Sequence, residues 1–151
     1  MKKSDKPHRI LARISSHFIG DFNLNESVHA SFEELGKLTG ADRIYLYRIH
    51  HKAKLAHITN EWLNTGVEDI SGSTTSFALD DFTWITSELS KKDIIRISSL
   101  DELPAKAEKE KKTLQSQNIK SLILFPFRMK GKLEGLIGLD FISEAPGLSE
   151  I

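Results

Sequence analysis

Ser121-Leu122-Ile123-Leu124-Phe125-Pro126-Phe127-Arg128-Met129, then Lys130-Gly131, then Lys132-Leu133-Glu134-Gly135-Leu136-Ile137-Gly138-Leu139-Asp140-Phe141: this stretch decides the fold. Two runs rich in Leu, Ile and Phe flank a Lys-Gly turn, which predicts an antiparallel hairpin with glycine in the turn. Pro126 cannot donate a ladder hydrogen bond and so marks an edge or a bulge. Gly135 and Gly138 leave space where another group packs closely on the sheet.

Upstream, a second hairpin is predicted. Ile44 and Leu46 alternate with Tyr45 and Tyr47 in the stretch 43–49, and 54–62 reads as a weaker return strand ending near Trp62. Two amphipathic helices precede it. The first spans about 6–20 on Ile10, Leu11, Ile14 and Phe18. The second carries Leu24, Val28, Phe32, Leu35 and Leu38 on one face, with Asn23 and Glu26 as a capping pair and Gly40 as its stop.

Between the hairpins, 64–76 is Gly, Ser, Thr and acid, and reads as a mobile loop. Phe82, Ile85 and Leu89 then predict a short helix over 80–90, followed by a strand at 94–97. A lysine- and glutamate-rich helix is expected over 101–118, with Pro104 in its first turn. Its pairs Glu102/Lys106 and Glu108/Lys112 stand four apart. Hairpins in sequence imply an antiparallel sheet and an α+β class, not a βαβ array. A pocket between the sheet and the 77–118 segment follows from this layout.

The chain has 151 residues, with 21 basic against 21 acidic side chains and no cysteine. One ordinary domain fits that length. Charge balance argues against nucleic acid as a partner. Missing cysteine removes disulfides, thiolate metal sites and thiol nucleophiles. No apolar run reaches the ~18 residues of a membrane span, and no apolar segment follows the basic start, so a cytoplasmic location is expected.

The ordered set of features resembles a GAF domain, the sensor module of histidine kinases, phytochromes and cyclic-nucleotide phosphodiesterases. The set comprises Leu35-Gly36-Lys37-Leu38-Thr39-Gly40-Ala41-Asp42 leading into the Tyr-rich strand, Trp62, Phe82-Thr83-Trp84-Ile85, Ile94-Ile95-Arg96-Ile97 and Leu100-Asp101-Glu102-Leu103-Pro104. It closes with the hairpin from Ile119, and the match covers about 24–141. The resemblance implies a six-stranded antiparallel sheet with helices on both faces, related to the PAS fold. It also implies a sensing pocket on the face opposite the terminal helices. It divides the chain into a leading helix or linker (1–22), the domain (23–142) and a truncated tail (143–151). The family's final helix would begin just beyond Gly147, so a longer parent polypeptide is expected, with a histidine-kinase output domain. Bilin-attaching members and the family's sulfoxide reductases both need cysteine, which this chain lacks, and the Asn-Lys-Xaa-Asp-Glu signature of cyclic-GMP binders is absent.

The candidate ligand-binding residues are Trp62, Phe77, Phe82, Trp84 and Ile85, with Thr59, Ser76 and Asp81 as polar contacts. Each aromatic taken alone reads as core ahead of pocket lining, since aromatics dominate cores by area. As a cluster beside a polar loop they read equally as a cavity wall or as core. His50, His51 and His57 lack a fourth convergent ligand and read as a solvated hairpin, so no metal site is expected. Asp80 and Asp81 read as caps of the following helix. The 106–112 charge run reads as a solvated face.

Two functions remain. One is a non-enzymatic sensory domain holding a small molecule non-covalently, homodimeric through its first helix. The other is a dimerisation or interaction module with a filled core. No nucleophile motif supports an enzyme, and no cofactor is specified.

Overall fold

The computed structural model describes residues 24–67 and 76–142. The leading helix expected over 6–20, its proposed dimer seam, the cap at Asn23 and the tail from Ser143 lie outside these residues.

Helix α1 (Leu24–Thr39) runs into strands β1 (Arg43–His50) and β2 (Leu55–Leu63). Strand β3 (Ser76–Ala78) leads through a 3-10 turn (Leu79–Asp81) into helix α2 (Thr83–Lys91). Strand β4 (Ile95–Ile97), two further 3-10 turns and helix α3 (Glu108–Ser116) follow, and β5 (Ser121–Met129) and β6 (Lys132–Phe141) close the domain. All six strands form one sheet in the order β3-β2-β1-β6-β5-β4. Every neighbouring pair is antiparallel.

The β5–β6 hairpin behaves as its composition requires. Met129 pairs with Lys132, and Lys130 (φ 52°) and Gly131 (φ 77°) both take the left-handed conformation that a tight two-residue hairpin turn demands. Strand β4 pairs only with Leu122–Leu124, so β5 is itself an edge beyond that point, and Pro126 falls there. Gly135 and Gly138 are close-approach positions. A Cβ at Gly135 would strike the Tyr47 carbonyl, and one at Gly138 would strike the Tyr45 ring.

The pleat divides the core in two. Ile44, Leu46, Ile123, Ile137, Leu139 and Phe141 face α1, where Phe32 and Leu35 meet them. The opposite face carries Tyr47, Leu122, Leu124 and Leu136 under Phe82, Ile85 and Leu89 of the α2 region and Leu114 of α3. Helices therefore cover both faces, as expected.

Several local expectations are corrected. Leu38, placed on the buried stripe of α1, is 42% exposed, because the buried pair Phe32 and Leu35 defines a narrower face. Ser76 belongs to a strand: Ala78, Phe77 and Ser76 pair with Leu55, Ala56 and His57. No apolar alternation announces so short an element. The 101–118 segment is not one helix. Leu103, extended before Pro104 (ψ 137°), separates two 3-10 turns, and α3 begins only at Glu108. Glu102 and Lys106 thus lie in different turns, while Glu108 and Lys112 stand 3.9 Å apart as helical neighbours.

Candidate functional site: a cavity with a buried charged end

Between the β1–β2–β6 face and the α2–α3 layer lies a cavity of about 400 Å³. Its wall is aromatic. Tyr47 sits 4.9 Å from Phe77, and Phe77 4.1 Å from Phe82, ring centre to ring centre. Tyr45 meets Tyr47 edge-on at 5.4 Å. Phe77 reaches this wall because β3 pairs with β2, and Phe82 because it caps the start of α2. Ile85, Leu114 and Leu136 complete the apolar lining.

One end of the cavity is polar and buried. Arg43 and Asp140 are register partners on β1 and β6, so both project to the same side of the sheet. Their side chains are 2% and 1% exposed, and Arg43 Nε stands 3.6 Å from Asp140 Oδ2. That separation is an ion pair but too long for a hydrogen bond, and Nε has no hydrogen-bond partner. Arg43 Nη2 donates to the Gln117 carbonyl at 3.1 Å, just past the end of α3. Tyr45 donates its hydroxyl to Asp140 Oδ1 at 2.7 Å.

Burial pushes the Asp140 carboxyl up to about 7, against the Tyr45 hydrogen bond and the Arg43 charge, which favour ionisation. Asp42 and Glu61 add to the rise. Burial also drives the Tyr45 hydroxyl well above its ordinary value, with the Asp140 charge second.

Of the residues selected from the sequence, Ser76, Phe77, Asp81, Phe82 and Ile85 line this cavity. Trp62 does not. Its ring lies on the opposite face against Gly36 of α1, where a Cβ would collide with it. A strand's alternation sends neighbours to opposite sides, so Glu61 lines the cavity and Trp62 cannot. Thr59 is absorbed by the β1–β2 irregularity, where Leu46 pairs with Asn60 and Tyr47 with Ile58. Its hydroxyl turns to Asn60 Oδ1 at 2.9 Å. Trp84 lines a separate shallow hollow with Thr83, Ser87 and Lys106, because it lies one residue off the Ile85–Leu89 face.

Arg43, Tyr45 and Asp140 escaped the sequence reading. The available signal was a lone acid inside the apolar run Gly138-Leu139-Asp140-Phe141.

Two electrostatic expectations also change. Asp81 is half exposed and pairs with Lys109 at 3.6 Å. The carboxylate at the start of α2 is instead Glu110, whose Oε2 accepts from the Ile85 backbone N–H at 3.0 Å. Glu110 is 1% exposed, so the 106–112 run is a solvated face apart from the buried Ala107 and this one inward acid. In the β1–β2 hairpin, His50 and His57 stack at 4.4 Å with Nε2 and Nδ1 2.6 Å apart. His51 turns away to the Leu133 carbonyl at 3.1 Å and to Glu134 at 3.5 Å. Among the described residues, no three His, Asp or Glu side chains converge as metal ligands. Among them too, no helix is long and apolar enough to cross a membrane.

No family model and no curated protein matches the chain. Solved structures do. The chromophore-binding domain of Stigmatella aurantiaca phytochrome P1 superposes with a TM-score of 0.70 at 17% identity, over 94% of this chain and 53% of that one. The phycocyanobilin-bound GAF domain of a cyanobacterial phytochrome gives 0.67 at 16%, over 95% and 85%. The chromophore-binding domain of an unusual bacteriophytochrome from R. palustris gives 0.73 at 10%, over 97% and 55%. The chain thus spans about half the length of the two chromophore-binding domains, and most of the isolated GAF domain. The antiparallel strand order, the helices on both faces and these superpositions together establish that the chain has the fold of a GAF domain.

Proposed function

We propose that this domain is a non-enzymatic, cytoplasmic small-molecule sensor within a larger signal-transduction protein, with a histidine-kinase output in the same polypeptide. The observation that carries the reading is the cavity: about 400 Å³, aromatic along one wall and charged at a buried end. Such a space, mostly apolar with a few fixed polar groups, suits a small ligand. It also favours sensing over an interaction module with a filled core. The similar phytochrome domains bind chromophores, phycocyanobilin in one case, which supports a ligand on this fold. A bilin held through a thioether does not fit the donor set, because the chain contains no cysteine. In this reading the ligand is held non-covalently. It acts by binding one arrangement of the domain more tightly than another, and the shift passes to the output through the helices on the far face of the sheet. Homodimerisation through the 6–20 segment is the proposed route of that coupling.

A fragment screen by thermal shift tests this reading. Hits should lose their stabilising effect on Ala78→Trp, which fills the cavity, and keep it on Trp84→Ala, which lies outside. Hits that survive Ala78→Trp, or a screen without hits, would refute it.

A further inference from the structure

Charge is unevenly distributed over the cavity lining. Arg43 is the one cation among the described lining residues, against the carboxylates of Glu61, Asp81 and Asp140. Arg43 and Asp140 pair with each other at the buried end. The strongest donors of the lining are spent on the protein itself. Tyr45 donates to Asp140, and Arg43 Nη2 to the Gln117 carbonyl. Thr113 donates to the Lys109 carbonyl, and Arg43 Nε is enclosed. Of the remaining acids, Glu61 has a partner of its own. Asp81 differs. Its carboxylate is half exposed and faces the exposed Lys109 at 3.6 Å, a separation too long for a hydrogen bond. A solvated lysine at that distance holds a carboxylate only weakly, and Lys109 does not line the cavity. Asp81 directly precedes Phe82, whose ring meets Phe77, which in turn meets Tyr47. This acid therefore adjoins the aromatic wall. Tyr47 stands four residues beyond Arg43 on β1, about 13 Å along the strand, so the wall is well removed from the buried cation.

We propose that the cavity takes organic cations: an ammonium on a compact apolar body, its charge held against the Tyr47–Phe77–Phe82 rings and donating to the Asp81 carboxylate. The apolar body lies along Ile85, Leu114 and Leu136. This rests on the sensor reading and specifies its ligand class. Aromatic faces are negative and attract a cation, more strongly where water is excluded. The ammonium brings the donors that this end of the lining lacks, and a charge-assisted hydrogen bond replaces the loose contact with Lys109. Lys109 is already solvated, so its release into water costs little. An anion of the same shape meets the reverse: three acids repel it, and the lining cation is enclosed and paired. A neutral analogue gains the burial of its apolar body and nothing from the charge.

Three matched probes on the full chain test the idea by titration calorimetry at neutral pH: naphthylmethylammonium, naphthylmethanol and naphthoate, which share a ring system and differ in charge. The ammonium should bind about tenfold or more tighter than the alcohol, a difference of the size a partly desolvated ring–cation contact supplies. The carboxylate should bind weakest. Asp81→Asn should cut the ammonium's advantage over the alcohol to about twofold or less. Lys109→Gln removes the competing cation from outside the cavity and should raise the ammonium's affinity about twofold. Phe77→Leu, which keeps an apolar side chain without a ring face, should also reduce the advantage. If that variant does not fold, the two surface substitutions keep the test open. Alcohol or carboxylate binding as tightly as the ammonium would overturn the cation assignment while leaving the sensor reading intact. An advantage unchanged in Asp81→Asn would overturn the role of Asp81. Ammonium binding that survives the cavity-filling Ala78→Trp would lie elsewhere and overturn the inference. Failure of all three probes would overturn it too, and the fragment screen decides separately whether the sensor reading falls with it.

Discussion

Replacing Asp140 with Asn should abolish a decline in folding stability that the unmodified chain shows as pH rises from about 4 to about 7. The ordinary carboxyl value of 3.8 rises to about 7 in the folded chain, because burial outweighs the help of Tyr45 and Arg43. The Arg43 ion pair loses this contest because its 3.6 Å separation lacks a hydrogen bond. Between those two values the folded chain holds a proton that the unfolded chain has released. Stability is therefore fully present below pH 3.8, falls through the interval, and levels off above about 7. At about 1.36 kcal/mol per pH unit, the decline amounts to about 4 kcal/mol. Urea unfolding followed by tryptophan fluorescence at a series of pH values measures it. The quantity to compare is the difference between the two proteins, in which contributions common to both cancel. Absolute stabilities will differ by a constant offset from the amide's own packing and hydrogen bonds, while the loss of the Arg43 counter-ion is felt only where Asp140 is ionised and is already part of its value of about 7. Parallel curves would refute the reasoning. So would a wild-type chain that gains relative stability with rising pH, which would mean that the ion pair outweighs burial and that the folded value lies below 3.8.

Two further outcomes follow from the packing. Glu110→Ala should cost about 1–3 kcal/mol in urea unfolding by leaving the Ile85 N–H without its acceptor; Glu110→Gln, which keeps an acceptor oxygen, should cost less, and equal costs would mean that charge at the helix start dominates. Gly36→Ala should destabilise by about 1–3 kcal/mol and alter the near-ultraviolet circular dichroism of Trp62, whose ring occupies the space a Cβ needs; an unchanged spectrum would place that ring elsewhere.

The elements most legible from residue order were those with a strong local period. The β5–β6 hairpin is announced by two apolar runs and a Lys-Gly turn, and the packing role of Gly135 and Gly138 by glycine inside strands. Strand β3 and the division of 101–118 were not legible. Three residues carry no period, and the influence of Pro104 on Leu103 competes with an otherwise helical composition.

For the site, Phe77, Phe82, Ile85, Ser76 and Asp81 were placed together by proximity along the chain, because one segment carries all five. Trp62 and Thr59 were misassigned because a strand's facing depends on its register, and the irregularity between Leu46 and Tyr47 shifts it by one residue. Trp84 was misassigned because a one-residue step on a helix turns a side chain by about 100°.

Residue order alone thus determined the α+β class, the antiparallel hairpins and the absence of thiol chemistry, all of which depend on composition and short-range pattern. Tertiary structure alone decided that Arg43 meets Asp140, 97 positions away, and that Tyr45 joins them. Pairing between distant strands is set by burying both sheet faces at once, and no local stretch of chain contains that information.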